Sequence, residues 1–160
     1  MRIGVYPGTF DPVTNGHLDI IKRGSIIFDK LYILVANNMN KKTLFTVEER
    51  IELIKEATEN ISNVEVVSSS LLTVDFAKQV NATAMLRGLR MVSDFEYELQ
   101  LATINKCLDD SLETIFIMSS HEYSFLSSSS VKEIVKFGGN VSQFVPKHVE
   151  VELTKRIINK

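Results

Sequence analysis

Between Tyr6 and His17 the chain reads Tyr6-Pro7-Gly8-Thr9-Phe10-Asp11-Pro12-Val13-Thr14-Asn15-Gly16-His17. Two prolines and two glycines mark a tight turn, leading from the apolar stretch Ile3–Tyr6 into a segment of helical period near Gly16. The first turn of a helix offers unpaired backbone N–H groups and the positive end of the helix dipole, so anions are favoured there. Thr9 adds a hydroxyl donor, and His17 sits in that first turn. A lone histidine is more often solvated or capping. The glycine beside it, which lets a ligand approach the backbone, and the strand–turn–helix setting favour a chemical role.

Three further groups follow other apolar stretches. Arg87-Gly88-Leu89-Arg90 sets two guanidinium groups about a glycine, an arrangement that suits phosphate or carboxylate oxygens. Alone it is only an exposed strand end. Lys41 and Lys42 could complete a cationic ring, and otherwise read as solvated lysines. Tyr123-Ser124-Phe125-Leu126-Ser127-Ser128-Ser129 leads into another helix start, a second anion cradle or a plain polar loop. Two helix N-termini with basic residues between them suit a polyphosphate.

These groups need a scaffold that brings strand ends together. Short apolar runs at Ile3–Tyr6, Leu31–Ala36, Val64–Val67, Ala84–Arg87 and Thr114–Met118 alternate with helical segments. The helices are expected near Gly16–Phe28, Val47–Thr58, Val74–Val80 and Phe95–Leu108, with two more after the last strand. Continuous apolar strands imply burial on both faces, and helices between them imply parallel pairing by crossovers. The predicted fold is an α/β domain with a doubly wound, parallel five-stranded sheet. Ligands of such sheets bind outside the carboxyl ends of the strands, where the candidate groups lie. Thr46-Val47-Glu48-Glu49 and Ser130-Val131-Lys132-Glu133 both match a capping box. From Phe95 to Leu108 two apolar stripes share one helix, which reads as a core helix or as one shared between core and subunit interface.

Composition narrows the classes. At 160 residues, the chain suits one domain over residues 1–160. Hydrophobic residues at 44% and charged residues at 24% are globular values. A net charge of −2 argues against a nucleic-acid partner. The single cysteine, Cys107, can form no internal disulfide and is expected to be buried. No signal-peptide pattern and no apolar run near the roughly 20 residues of a membrane span occur, so no membrane partner and a cytoplasmic location are expected. The serine clusters are too short to suggest disorder. A P-loop, a G-x-G-x-x-G turn, H-E-x-x-H, zinc-spaced Cys/His sets and a G-x-S-x-G elbow are all absent.

Thr14–His17 after a strand, followed later by the hydrophobic-Ser-Ser-Ser run Leu126–Ser129, resembles the paired T/H-x-G-H and hydrophobic-S-S-S signatures of the nucleotidyltransferase superfamily. Tyr6–Pro12, Arg87–Arg90, Asp94-Phe95-Glu96-Tyr97-Glu98 and Tyr123-Ser124-Phe125 are similar to the bacterial phosphopantetheine adenylyltransferases over nearly the whole chain. That resemblance implies a Rossmann-like nucleotidyltransferase fold and a step of coenzyme A biosynthesis. In it, ATP and 4′-phosphopantetheine give dephospho-coenzyme A and pyrophosphate, with Mg2+ and a homohexameric assembly. By the same resemblance Thr9, Lys41, Thr73 and Arg87 would contact the pantetheine substrate. Thr9, Phe10, His17, Gly88, Leu89, Arg90, Glu98, Tyr123, Ser124, Phe125, Leu126, Ser127, Ser128 and Ser129 would bind ATP. No protein residue would be a metal ligand. Position 73 is often a larger apolar residue in that family, and position 130 usually apolar; Ser130 is read here as a helix cap.

Such a reaction needs no protein nucleophile, because the acceptor's phosphate already is one. His17 would act as transition-state stabiliser, joined by Lys41 and Arg90 as donors to the charge that develops. A sister enzyme acting on nicotinamide mononucleotide or a phosphorylated alcohol is the nearest alternative. A nucleotide-binding regulatory module without catalysis is the alternative of another class, and a synthetase fragment is disfavoured by the absence of a basic surface.

Overall fold

A computed structural model describes residues 1–37 and 42–158. The chain forms β1 (Ile3–Gly8), α1 (Asn15–Ile27), β2 (Lys30–Ala36), α2 (Val47–Thr58), β3 (Val64–Ser69) and α3 (Thr73–Gln79). It continues through β4 (Ala84–Leu89), α4 (Val92–Leu108), β5 (Glu113–Met118), a 3-10 turn at His121–Tyr123, α5 (Ser128–Lys136) and α6 (Lys147–Ile158). The five strands are parallel in the order β3-β2-β1-β4-β5. Chain order reverses at β1, whose neighbours are β2 on one side and β4 on the other, so the switch point lies between β1 and β4.

The ladder at that point is short. β1 and β2 stay in register from Ile3↔Lys30 to Gly8↔Val35, whereas β1 and β4 pair only at Gly4↔Ala84 and Val5↔Met85. Beyond Val5 the two strands leave a crevice at their carboxyl ends. Pro7 is tolerated in this central strand for the same reason. Its carbonyl accepts the Arg87 guanidinium at 2.8 Å, so its ring nitrogen lies on the side where the ladder has already opened.

Alternate strand residues feed the two faces of the sheet. Tyr6, Ile33 and Leu86 join the larger core, with Leu18 and Ile21 of α1, Ile54 of α2, Val131 of α5 and Leu153 of α6. Val5, Leu34 and Met85 join a smaller one with Val74, Phe76 and Ala77 of α3. This is the burial on both faces that the apolar strands imply.

Two local expectations need correcting. At α2 the Thr46 hydroxyl accepts from Glu49 N and the Glu49 carboxylate from Thr46 N, as the sequence pattern predicts. At α5 the cap is Ser127 rather than Ser130. Ser130 occupies the third helical position and returns its hydroxyl to the Ser127 backbone, taking the place a glutamate usually fills. Cys107 is exposed, not buried, because α4 buries only Glu98 among its own residues. Phe95, Tyr97, Leu99, Ile104 and Leu108 of α4 are all exposed. Among the described residues, no helix is long and apolar enough to cross a membrane.

Candidate active site

The crevice between β1 and β4 widens into a cavity of about 440 Å3. Its floor is built from the turn after β1. Phe10 has φ 49°, in the left-handed region that a bulky residue rarely adopts. The ring is buried, edge-on to Tyr6 at 5.3 Å and to His17 at 5.0 Å between centroids. A Cβ on Gly8 would stand 2.7 Å from that ring, so glycine is required for Phe10 to occupy this place. At Gly16 a Cβ would meet Tyr123 at an ordinary 3.5 Å, so packing alone does not demand glycine there.

His17 is the third residue of α1 and completes its cap. The Thr14 hydroxyl accepts from His17 N at 3.4 Å, and His17 Nδ1 accepts from Thr14 N at 3.0 Å. An imidazole that accepts at Nδ1 carries its proton on Nε2. Burial, and then the charge of Arg90, push its pKa from 6.5 down to about 4. At neutral pH this histidine is therefore uncharged and offers one N–H donor from the ring edge turned away from the cap.

The cations are paired and aimed. Arg87 meets Glu98 in a two-pronged contact, Nε to Oε2 at 2.6 Å and Nη2 to Oε1 at 2.5 Å. Burial works against the Arg87 charge, and Glu98 outweighs it, so the guanidinium is held firmly ionised. Arg90 donates from Nε to Asp94 at 3.1 Å and from Nη1 to the Leu126 carbonyl at 3.0 Å. Burial tends to raise the Asp94 carboxyl, but hydrogen bonds from Arg90 hold it below its ordinary value. Arg90 thus bridges α4 to the segment before α5. There Ser127 caps the helix, and Ser128 Oγ donates to the Pro12 carbonyl at 2.8 Å, drawing this helix start against the first turn. Asp19 of α1 secures the remaining wall, accepting from Ser120 N at 3.1 Å and Ser120 Oγ at 2.9 Å.

The cavity thus gathers two helix N-termini, two arginines and an uncharged histidine at a sheet switch point. Comparison with known proteins gives the same reading. Residues 5–134 match the cytidylyltransferase-like family. The phosphopantetheine adenylyltransferase of Clostridium botulinum strain Alaska E43 is 56% identical over 156 residues, covering 98% of each chain. The namesake protein of Caldanaerobacter subterraneus subsp. tengcongensis is 57% identical with the same coverage. The chain belongs to the phosphopantetheine adenylyltransferase family. A solved Vibrio parahaemolyticus protein, provisionally described as a nicotinate-nucleotide adenylyltransferase, aligns with a TM-score of 0.71 over 99% of this chain and 93% of its own. At 14% identity, that likeness speaks for the nucleotidyltransferase fold alone.

The residues singled out from the sequence divide clearly. Phe10, His17, Arg87, Gly88, Arg90, Glu98, Tyr123, Leu126, Ser127 and Ser128 line the cavity. Thr9 and Leu89 flank it in the chain; Thr9 is half-buried and Leu89 buried. Ser124 turns its hydroxyl to the His121 carbonyl, Phe125 stacks edge-on with Phe144, and Ser129 is exposed on α5. Thr73 opens α3, after β3 on the same sheet edge, but is not part of the cavity wall. Lys41 lies outside the described residues, and Lys42 is exposed.

The cavity also includes Asp94, Ser93, Tyr97 and Ser119, which sequence reading did not single out as site residues. Asp94 had a signal, its spacing of four from Arg90, which precedes α4 while Asp94 lies in that helix's first turn. Ser119 directly follows β5 at the productive edge, and its hydroxyl is the one buried side-chain oxygen without a partner among the described residues.

Proposed function

We propose that this cavity transfers the adenylyl group of ATP to 4′-phosphopantetheine, giving dephospho-coenzyme A and pyrophosphate in coenzyme A biosynthesis. The observation that carries the substrate assignment is 56% identity over 98% of the chain to enzymes named for this acceptor. The geometry supplies the chemistry. An acceptor phosphate oxygen attacks the α-phosphorus, the new O–P bond forms, and the bond to pyrophosphate breaks with the electron pair leaving on that group. The protein aligns the two substrates and answers the charge on the equatorial oxygens.

His17 Nε2–H and Arg90 are the donors to those oxygens, and Lys41 joins them in this reading. An uncharged imidazole cannot compete with the substrates as an ion, but as a preorganised donor it stabilises charge as it develops. The N-termini of α1 and α5 receive the triphosphate, with Ser127, Ser128 and Ser129 at the second. Arg87, oriented by Glu98, faces the acceptor's phosphate together with Thr9, Lys41 and Thr73.

Mg2+ belongs to this reading as a companion of the triphosphate. Among the described residues no three His, Cys, Asp or Glu side chains converge as a metal site, and Asp94 and Glu98 are engaged by arginines. Such a donor set suits an ion held mainly by substrate phosphates and water. When bound, the ion supplies charge neutralisation on the phosphates. The reading further places one domain over residues 1–160 in the cytoplasm, assembled as a homohexamer. The exposed apolar residues of α4 support the assembly.

The test is pyrophosphate release from ATP with each acceptor supplied separately. Release with 4′-phosphopantetheine and none with nicotinamide mononucleotide is expected. Release with nicotinamide mononucleotide alone would overturn the acceptor, and ATP binding without any release would favour a regulatory module.

A further inference from the structure

The two helix starts that face the cavity are tied together outside it. α1 begins after Thr14 and α5 after Ser127, and the turn residues Asp11 and Pro12 precede the first and touch the second. Ser128 and Lys132 stand four residues apart, on one face of α5. Ser128 donates from Oγ to the Pro12 carbonyl, and Lys132 from Nζ to Asp11 Oδ2, each at 2.8 Å. The turn they meet is itself held from behind. Asp11 Oδ2 also accepts from Leu44 N, and Oδ1 from Phe45 N, each at 2.9 Å. Arg50 of α2 donates from Nη1 to the Thr9 carbonyl at 2.7 Å and to that of Ala36 at 3.0 Å.

Asp11 is only 3% exposed, and neither it nor Lys132 lines the cavity. Burial of a charge is unfavourable unless every partner is well placed, and Val131 and Val135 already bind α5 to the core. Those apolar contacts are not directional, so they leave a helix free to slide or turn slightly. A buried carboxylate with three placed donors does not. What the ion pair adds to the packing is therefore the exact seat of α5 against the turn that leads into α1. Burial tends to raise the Asp11 carboxyl, yet the Lys132 hydrogen bond and the two backbone donors hold it below its ordinary value, so it serves as a permanent anion.

We propose that Asp11 and Lys132 are positioning residues for ATP, an ion pair outside the cavity that sets the N-terminus of α5 at a fixed span from that of α1. The proposal rests on the reading of these two helix starts as the seat of the triphosphate. The pair acts through Ser127 and Ser128, which line the cavity, and touches no substrate itself. The acceptor side, built on Arg87 and its two bonds to Glu98, keeps its geometry when the pair is broken.

The test is a double-mutant cycle of Asp11→Asn and Lys132→Met, with the ATP dissociation constant read by calorimetry and KM measured for each substrate. Each single change weakens ATP about tenfold, in dissociation constant and in KM, and leaves KM for 4′-phosphopantetheine within about twofold. The double variant stays within about twofold of either single one, because both remove the same ion pair. Lys132→Arg, which keeps the charge, retains ATP affinity within about threefold of the native chain. Effects that multiply in full would show Lys132 acting on ATP independently of Asp11, and they overturn the proposal. A fall in kcat with ATP affinity and both KM values unchanged is what a merely structural role gives, and it overturns the proposal as well. So does an equal rise in both KM values. A native chain that does not bind ATP removes the reading of the two helix starts and the ion pair's role with it. A native chain that binds ATP no better than the variants removes the ion pair's role alone. Should Asp11→Asn not fold, the contrast between Lys132→Met and Lys132→Arg decides, and equal losses in the two overturn the proposal.

Discussion

The third position of a helix ordinarily suits a glutamate or glutamine, whose side chain returns to the cap. In α1 His17 takes that place, and the exchange gives the cavity an N–H while the cap is kept. The consequence can be read from its titration. The unfolded imidazole takes up a proton near 6.5, but the folded one only near about 4. Between those values the unfolded chain binds more protons, so stability is fully present above 6.5 and declines as pH falls toward 4. Urea unfolding at pH 7 and pH 5 should show this decline in the native chain and less of it in His17→Gln, which keeps a side chain able to cap. Equal declines would contradict the assignment. Gly16 makes a second residue-scale prediction. Gly16→Ala should leave the melting temperature unchanged or slightly raised, since helical alanine is favoured over glycine by roughly 1 kcal/mol. It should nevertheless weaken ATP binding measurably by calorimetry. The sequence exposed His17 as a candidate through Thr14-Asn15-Gly16-His17 and set capping against a chemical role, whereas the structure has it cap the helix and line the cavity at once.

At the scale of elements, the site is held by contacts between helices that start or end at the sheet's carboxyl edge. Glu98 connects α4 to Arg87 of β4 through two hydrogen bonds. Glu98→Ala should leave that guanidinium half-buried without its partner, costing roughly 1.5–3 kcal/mol by analogy with lost charged hydrogen bonds. Denaturant midpoints would measure the loss, and the acceptor KM should rise with it. Ser127→Ala removes the α5 cap, costing about 1 kcal/mol, whereas Ser130→Ala should cost less because it leaves the Ser127–Ser130 N bond intact. The reverse ranking would restore the cap that the sequence pattern predicted. Strands and helices were legible because a buried parallel sheet leaves continuous apolar runs between helical ones. The α5 cap was misplaced because only Ser130 has a glutamate three residues on, whereas the helix starts at Ser127 and puts Ser130 itself in the glutamate's place. The buried roles of Asp11, which accepts from Leu44 N, Phe45 N and Lys132 at separations of 33, 34 and 121 residues, and of Arg50, which reaches the Thr9 carbonyl across 41, were not legible because such partners leave no local spacing to read.

On the scale of the whole molecule, the two faces of the sheet are unequally covered. The first is packed by α1, α2, α5 and α6, while the second relies on α3 and on α4, which leaves Phe95, Leu99, Ile104 and Leu108 exposed. An apolar face of this kind marks an interaction surface, which further copies of the chain would cover in the homohexamer proposed above. Under that proposal light scattering should give a mass near six times the 18.1 kDa chain, and Ile104→Glu should lower it. A monomer mass for the native chain would remove the assembly. The two apolar stripes of α4 were visible in the sequence, but not which would meet the core, and the exposure of Cys107 follows from that ambiguity. The cavity itself depends on β1 and β4 separating beyond Val5, and in the proposed reaction His17 answers charge as it develops. Single-turnover measurement on His17→Ala, with ATP and 4′-phosphopantetheine both saturating, tests this most directly. The rate should fall by about a hundred- to a thousandfold while the ATP dissociation constant changes little; a near-normal rate with ATP affinity lost would contradict it.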